Sequence, residues 1–201
     1  KIQAQLPEWR ERVRKLVKEK GDVIVGDVTI SQIYGGMRDV LGLVTDISYV
    51  DPSEGIRFRG YTIPELLEKL PKPEGSESPY VGGLYYLLLV GSIPTLDQAL
   101  EVEAEWKARS AVPRYVFDVI RALPEDVHPV TMFSTAVLVM QRESIFARRY
   151  HAGMKKDEYW EPMLDDSMNL IAKLPDSAAY IYRSKYKGGD LIPSDPTLDW
   201  G

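Results

Sequence analysis

The amino-acid sequence predicts a mainly α-helical protein with a small antiparallel β hairpin region near its N terminus. Three observations lead there. Beyond residue 61 apolar residues recur at steps of three and four, the helical period. Between residues 23 and 61 they alternate at steps of two, the strand period. Helix-starting boxes, a hydroxyl followed three residues later by Glu or Gln, stand at Thr62-Ile63-Pro64-Glu65 and Thr95-Leu96-Asp97-Gln98.

The elements follow in order. Leu6, Trp9, Val13, Leu16 and Val17 form one helical stripe, with Pro7 suited to a first turn and Gly21 to a stop. Its outer face carries Arg10, Arg12, Arg14, Lys15 and Lys18, interleaved with acids, and is expected to be solvated surface. A basic amphipathic start resembles an organelle presequence, but Glu8, Glu11 and Glu19 are foreign to such peptides, so it is expected to belong to the mature protein. Val23, Val25, Val28 and Ile30, then Ile47, Tyr49, Ile56 and Phe58, predict short strands. Asp51-Pro52-Ser53-Glu54-Gly55 predicts the turn of a hairpin between the last two. Ser31 to Arg38 reads as a short helical turn ended by Gly35 and Gly36.

Past Tyr61 the two boxes start helices, the first carrying Leu66, Leu67 and Leu70, the second Leu100, Ala104 and Trp106. Between them, Pro71 to Pro79 is a polar loop, and Val81 to Val90, apolar all round, predicts a buried helix. Pro129 to Met140 is apolar on more than one face. Two covers suit it, the rest of its own fold or a second subunit. A last long helix is expected from about Asp157 to Lys187, bent at Pro175. After Gly188-Gly189 a tail without periodicity carries Leu198 and Trp200, odd residues to expose, which suggests that the natural protein continues.

Composition narrows the chemistry. At 44% hydrophobic and 27% charged, the 201 residues can bury a real core, which excludes wholesale disorder. Thirty acidic against 25 basic residues argue against nucleic-acid binding, which needs surplus cations. The longest apolar run, Val81 to Val90, is too short to span a membrane. Without cysteine, and with only His128 and His151, thiol chemistry and the usual multi-His metal sites fall away, so no metal is expected.

No phosphate cradle or nucleophile motif of the common kinds occurs. His128, just before Pro129, is expected to cap or pack at a helix start, and His151 to be exposed. Asp165 and Asp166 point about 100 degrees apart on a helix and are read as surface charge. Arg57 and Arg59 share a strand face and are expected in salt bridges. Arg38, after Gly35-Gly36-Met37, is the best anion-binding candidate, because the glycines let a phosphate reach backbone amides and a guanidinium together.

These stretches together resemble a known family. Tyr34-Gly35-Gly36-Met37-Arg38 and Asp51-Pro52-Ser53-Glu54-Gly55-Ile56-Arg57-Phe58-Arg59-Gly60-Tyr61 are similar to the N-terminal part of citrate synthase of the eukaryotic mitochondrial type. So are Gly91-Ser92-Ile93-Pro94-Thr95, Glu143-Ser144, Tyr159-Trp160-Glu161, Leu170 to Pro175 and Leu198-Asp199-Trp200, all in the family's order. The resemblance implies a multi-helical large domain, a homodimer packed through helices including Pro129 to Met140, and a mitochondrial matrix location. It implies condensation of acetyl-CoA with oxaloacetate to citrate and CoA, at entry to the tricarboxylic acid cycle, with no permanently bound cofactor.

The family's two catalytic histidines, its aspartate and its oxaloacetate-gripping arginines match nothing here, so no catalytic residue is assigned and the 201-residue chain alone is expected to be inactive. Two contacts to the phosphates of CoA do carry over: Arg38, and Lys156, which stands where animal mitochondrial enzymes have an arginine. Lysine keeps the charge and loses the bidentate fork. The expected organisation is thus one N-terminal portion of the large domain over 1–201, with a helix at 1–21, strands at 22–61, helices at 62–187, a tail at 188–201, and the catalytic half missing. The competing reading is a non-catalytic helical dimerisation module on the same scaffold.

Overall fold

The computed structural model describes residues 2–188, 192–193, 195 and 197–200. Among them the order is α1 (Ile2–Lys20), α2 (Ile30–Tyr34), β1 (Ser48–Asp51), β2 (Gly55–Phe58), β3 (Tyr61–Thr62), α3 (Ile63–Lys69) and α4 (Val81–Val90). There follow α5 (Leu96–Arg109), α6 (Arg114–Arg121), α7 (Pro129–Met140), α8 (Ile145–His151) and α9 (Trp160–Tyr186). The chain forms two compact units, Lys1–Leu70 with Tyr85–Pro94, and Pro71–Leu84 with Thr95–Gly201.

In the first unit the hairpin forms as expected, β1 antiparallel to β2 in the register Ser48 to Phe58 and Asp51 to Gly55, and β3 adds to β2. Asp51 fixes the turn. Its carboxylate accepts from the Ser53 amide at 2.8 Å, the Ser53 hydroxyl at 2.7 Å and the Glu54 amide at 3.0 Å, while Gly55 takes a positive φ of 88°. Arg59, itself at a φ of 50°, opens the next turn and sends its guanidinium to Asp46 at 3.0 Å and to the Leu88 carbonyl at 3.0 Å. That carbonyl lies in the last turn of α4, where a cation meets the negative end of the helix dipole. The expected strand over Val23, Val25 and Val28 does not form, and Ile30 opens α2 instead. A lone strand has no ladder to complete its backbone hydrogen bonds, and the Thr29 box, closed on Gln32, starts a helix there.

α1 starts earlier than the proline suggests, at Ile2, so Pro7 falls inside it rather than in its first turn. Its apolar stripe stays open: Trp9 is 52% exposed and Leu16 60%. The boxes at Thr62 and Thr95 both close, each hydroxyl accepting from the amide three residues on.

The core of the second unit joins Val116 and Ile120 of α6, Met132, Ala136 and Met140 of α7, and Tyr180 and Ile181 of α9. α9 packs on α5, α6, α7 and α8. It runs through Pro175 from Trp160 to Tyr186, with residues 156–158 in a 3-10 turn of their own rather than in the helix. On α5 the buried stripe is Ala99, Glu103 and Trp106, whereas Leu100 and Ala104 face outward. The shift follows from Glu103, which accepts from the Gly82 amide and the Trp200 amide, both at 2.8 Å. Trp200 is accordingly half-buried, its ring 5.0 Å from that of Trp106, while Leu198 is exposed. α7 divides the expectation of cover on several faces, since Val130 is 65% and Leu138 74% exposed.

Candidate functional site

In the first unit Arg38 follows the short helix α2. Gly35 caps α2, its amide donating to Ser31, and the Met37 amide donates to the Gln32 carbonyl at 2.7 Å. Gly36, Met37 and Asp39 have positive φ of 82°, 60° and 60°. A methionine and an aspartate held in the left-handed region on either side of one arginine are uncommon, and such backbone is kept where the surroundings over-determine it. The Gln32 side chain donates to the Arg38 carbonyl at 3.2 Å and supplies that support. The Arg38 side chain is exposed and, among the described residues, has no ion-pair partner.

In the second unit Lys156 lies in the 3-10 turn between α8 and α9, exposed and likewise without an ion-pair partner among the described residues. The path to it is hydrogen-bonded almost residue by residue. At the end of α8 the Ala152, Gly153 and Met154 amides donate to Arg148, Tyr150 and Arg149, with Gly153 at a φ of 88°. The Lys155 amide then donates to the Glu158 carboxylate at 3.0 Å. Both ends of α8 are tied to α9. At the start Asp166 accepts from the Ser144 hydroxyl at 2.6 Å, the Ile145 amide at 2.7 Å and the Phe146 amide at 3.0 Å. At the far end Arg149 meets Glu161 at 2.8 Å, and the rings of Phe146 and Tyr150 pack on Tyr159. Asp166 is therefore not the surface charge the sequence suggests, because a helix of seven residues has four open amides and α9 supplies the acceptor.

α9 also ties the end of α5 and the loop ahead of α7. Lys173 donates to the Arg109 carbonyl, the last of α5, at 2.8 Å, and Lys185 to the carbonyls of Glu125 and Val127. Burial pulls the Lys173 ammonium below its ordinary pKa, against the opposing pull of Glu143. Beside it an apolar groove of about 340 Å³ is lined by Val137, Leu138, Met140, Asn169 and Leu170. His128 caps α7 as expected, its Nδ1 accepting from the Val130 amide, and His151 closes α8 exposed. Arg57 pairs with Glu54 and Arg59 with Asp46, as expected, but Arg59 does so from the turn after β2 rather than from a shared strand face.

The two predicted contacts, Arg38 and Lys156, fall in different units, each a cation on a turn pinned by backbone bonds. Such turns suit an anion with several oxygens, a phosphate above all. What sequence reasoning misses is the support behind Lys156. The adjacency of Asp165 and Asp166 is visible in the sequence, but only the fold shows which of them faces α8. The described residues hold no group of three or more His, Asp or Glu placed to bind a metal.

Fold and site define a mainly α-helical protein with exposed basic side chains on hydrogen-bonded turns. The family model for citrate synthase, C-terminal domain, matches residues 36–201, and the chain belongs to the citrate synthase family. It is 44% identical over 200 residues to citrate synthase 4, mitochondrial, of Arabidopsis thaliana, covering 100% of this chain and 42% of that one. It is 46% identical over 196 residues to the mitochondrial citrate synthase of Daucus carota, 98% and 42%. A 2-methylcitrate synthase, mitochondrial, of Yarrowia lipolytica is 45% identical over 97% and 42%. Among solved structures, citrate synthase from Pyrobaculum aerophilum superposes with a TM-score of 0.68 at 25% identity, over 87% of this chain and 42% of that one. The Thermoplasma acidophilum enzyme, in a ternary complex with carboxymethyl coenzyme A and oxaloacetate, gives 0.63 at 20% identity, over 85% and 40%. The chain thus spans about two fifths of the curated relatives it matches.

Proposed function

We propose that the chain is the N-terminal segment of a mitochondrial matrix citrate synthase, which joins acetyl-CoA to oxaloacetate to give citrate and CoA. The observation that carries this reading is the family match over residues 36–201 together with 44–46% identity to mitochondrial relatives. In this reading Arg38 and Lys156 hold phosphates of CoA. Their exposure, their lack of ion-pair partners among the described residues and the pinned turns that carry them support it. A turn already fixed by backbone bonds needs no further ordering of its chain when its side chain meets a phosphate, so more of the contact survives as affinity. The reaction itself needs a base for a weakly acidic C–H and donors for the enolate oxygen. Those groups belong to the part of the enzyme outside these residues, so the 201-residue chain alone forms no citrate. Two copies of the whole protein pair through α7, whose exposed Val130 and Leu138 continue an apolar core outward.

The test is kinetic. In the full-length protein Arg38→Ala is expected to raise the KM for acetyl-CoA about three- to tenfold, because an exposed charge-assisted contact is worth less than a shielded one, with the KM for oxaloacetate nearly unchanged. The loss shrinks as salt rises, because the contact itself is screened. Acetyl-CoA kinetics unmoved at low salt would remove Arg38 from the site. Because one relative is named a 2-methylcitrate synthase, propionyl-CoA is run beside acetyl-CoA, and a preference for it would change the acyl donor and leave the phosphate contacts standing.

A further inference from the structure

We infer that Asp166 is a positioning residue for CoA: it fixes α8, and α8 in turn fixes the basic turn that carries Lys156. The inference rests on the reading of Lys156 as a phosphate contact.

The geometry is specific. Asp166, in the second turn of α9, uses both carboxylate oxygens: Oδ1 accepts from the Ile145 amide, and Oδ2 from the Phe146 amide and the Ser144 hydroxyl. Ser144 Oγ accepts in turn from the Ala147 amide at 2.9 Å, so one carboxylate organises the whole first turn of α8. α8 has seven residues, too few to be stable by itself, and its direction is set by what holds its ends. The C-terminal hold is the Arg149–Glu161 pair, more than a third exposed on both sides and correspondingly weak, with the Tyr150 ring packed on Tyr159 beside it. The N-terminal hold is half-buried, charged and triply bonded, and it is the stronger of the two.

From the end of α8 only four residues, Ala152 to Lys155, lead to Lys156, and their amides are committed to Arg148, Tyr150, Arg149 and Glu158. A rotation of α8 about its start is therefore passed on to the backbone of Lys156, the base from which its side chain reaches, instead of being absorbed by slack chain. The direct ligand contact stays with Lys156. Asp166 decides where that contact is found.

A double-mutant cycle in the full-length protein tests this. Lys156→Ala is expected to raise the KM for acetyl-CoA about two- to fivefold, as for an exposed charge-assisted contact. Asp166→Asn keeps the shape and loses the charge and one acceptor, and is expected to raise the same KM by a similar factor with kcat and the oxaloacetate KM within twofold. Combined, the two should cost little more than either alone, because a misplaced lysine and an absent one are equivalent. Full additivity, or a fall in kcat with both KM values raised together, would reduce Asp166 to a stability role and overturn the inference while Lys156 keeps its own. No effect of Lys156→Ala would overturn both. Should Asp166→Asn not fold, Glu161→Gln loosens the other end of α8 and takes its place in the cycle, where a shared loss with Lys156→Ala again supports the brace and full additivity again overturns it.

Discussion

Glu103 is a carboxylate in the place of an ordinary core residue. It is 3% exposed on the inner face of α5, between Ala99 and Trp106, and it accepts from two backbone amides, Gly82 and Trp200. The Gly82 amide belongs to the first turn of α4, where open amides and the helix dipole both favour a negative group. Gly82 is required at this crossing because a Cβ there would stand 2.8 Å from the Ala99 carbonyl oxygen, which is backbone and cannot swing away. Glu103→Ala should therefore destabilise the protein by about 2–4 kcal/mol, since each buried donor left open costs about 1–3 kcal/mol. Glu103→Gln, which keeps an acceptor, should cost less than half of that. Urea unfolding of the two variants measures both, and equal losses would mean that the charge and second acceptor of the carboxylate, rather than one retained acceptor, hold this position.

The hairpin is the element whose making is most local, and it carries a pH dependence of its own. Its turn depends on Asp51 as an anion, and the bonds from the Ser53 hydroxyl, the Ser53 amide and the Glu54 amide hold that carboxyl down to about 2. The folded value lies below the unfolded one. The turn's stabilisation is thus complete above the ordinary carboxyl range near pH 4 and is lost as pH falls toward 2. Amide shifts of Ser53 and Glu54 followed by NMR should titrate together near pH 2, and a midpoint near 4 would show that the bonds do not form in solution. This hairpin and the boxes at Thr62 and Thr95 are legible in the sequence because their partners sit two to four residues apart. The absence of a strand over residues 23–28 is not, since alternation says nothing about whether a partner strand exists. Nor is the buried face of α5. Its helical period allows Leu100 and Ala104, and the choice of Glu103 is made by Gly82 and Trp200, 21 and 97 residues away. Asp166 belongs with these, since the amides it serves lie 20 residues or more upstream.

At the scale of the molecule, residue type alone points the Gly-Gly-Met-Arg turn toward an anion, while the brace behind Lys156 becomes visible only when α8 and α9 are seen together. The same scale governs assembly. α7 buries Met132, Ala136 and Met140 in its own unit and leaves Val130 and Leu138 open. A face of this kind, continuous with a core, is typical of large permanent interfaces. If the full-length protein pairs through α7 as proposed, Leu138→Glu should weaken that pairing by about tenfold or more, because a carboxylate buried there would lack a partner. Sedimentation of the variant against the parent decides it, and an unchanged dimer would move the contact off α7.

The bond from Trp200 to Glu103 also sets an order of events. It spans 97 residues of chain, and a ribosome adding about 5–20 residues per second needs about 5–20 s to make that stretch. Throughout that interval Glu103 can have at most one of its two donors, and Trp106 lacks the indole that will cover it. Nascent α5 therefore waits with a half-answered carboxylate and an uncovered tryptophan, and residues 198–200 act as a late clasp on a helix completed long before them.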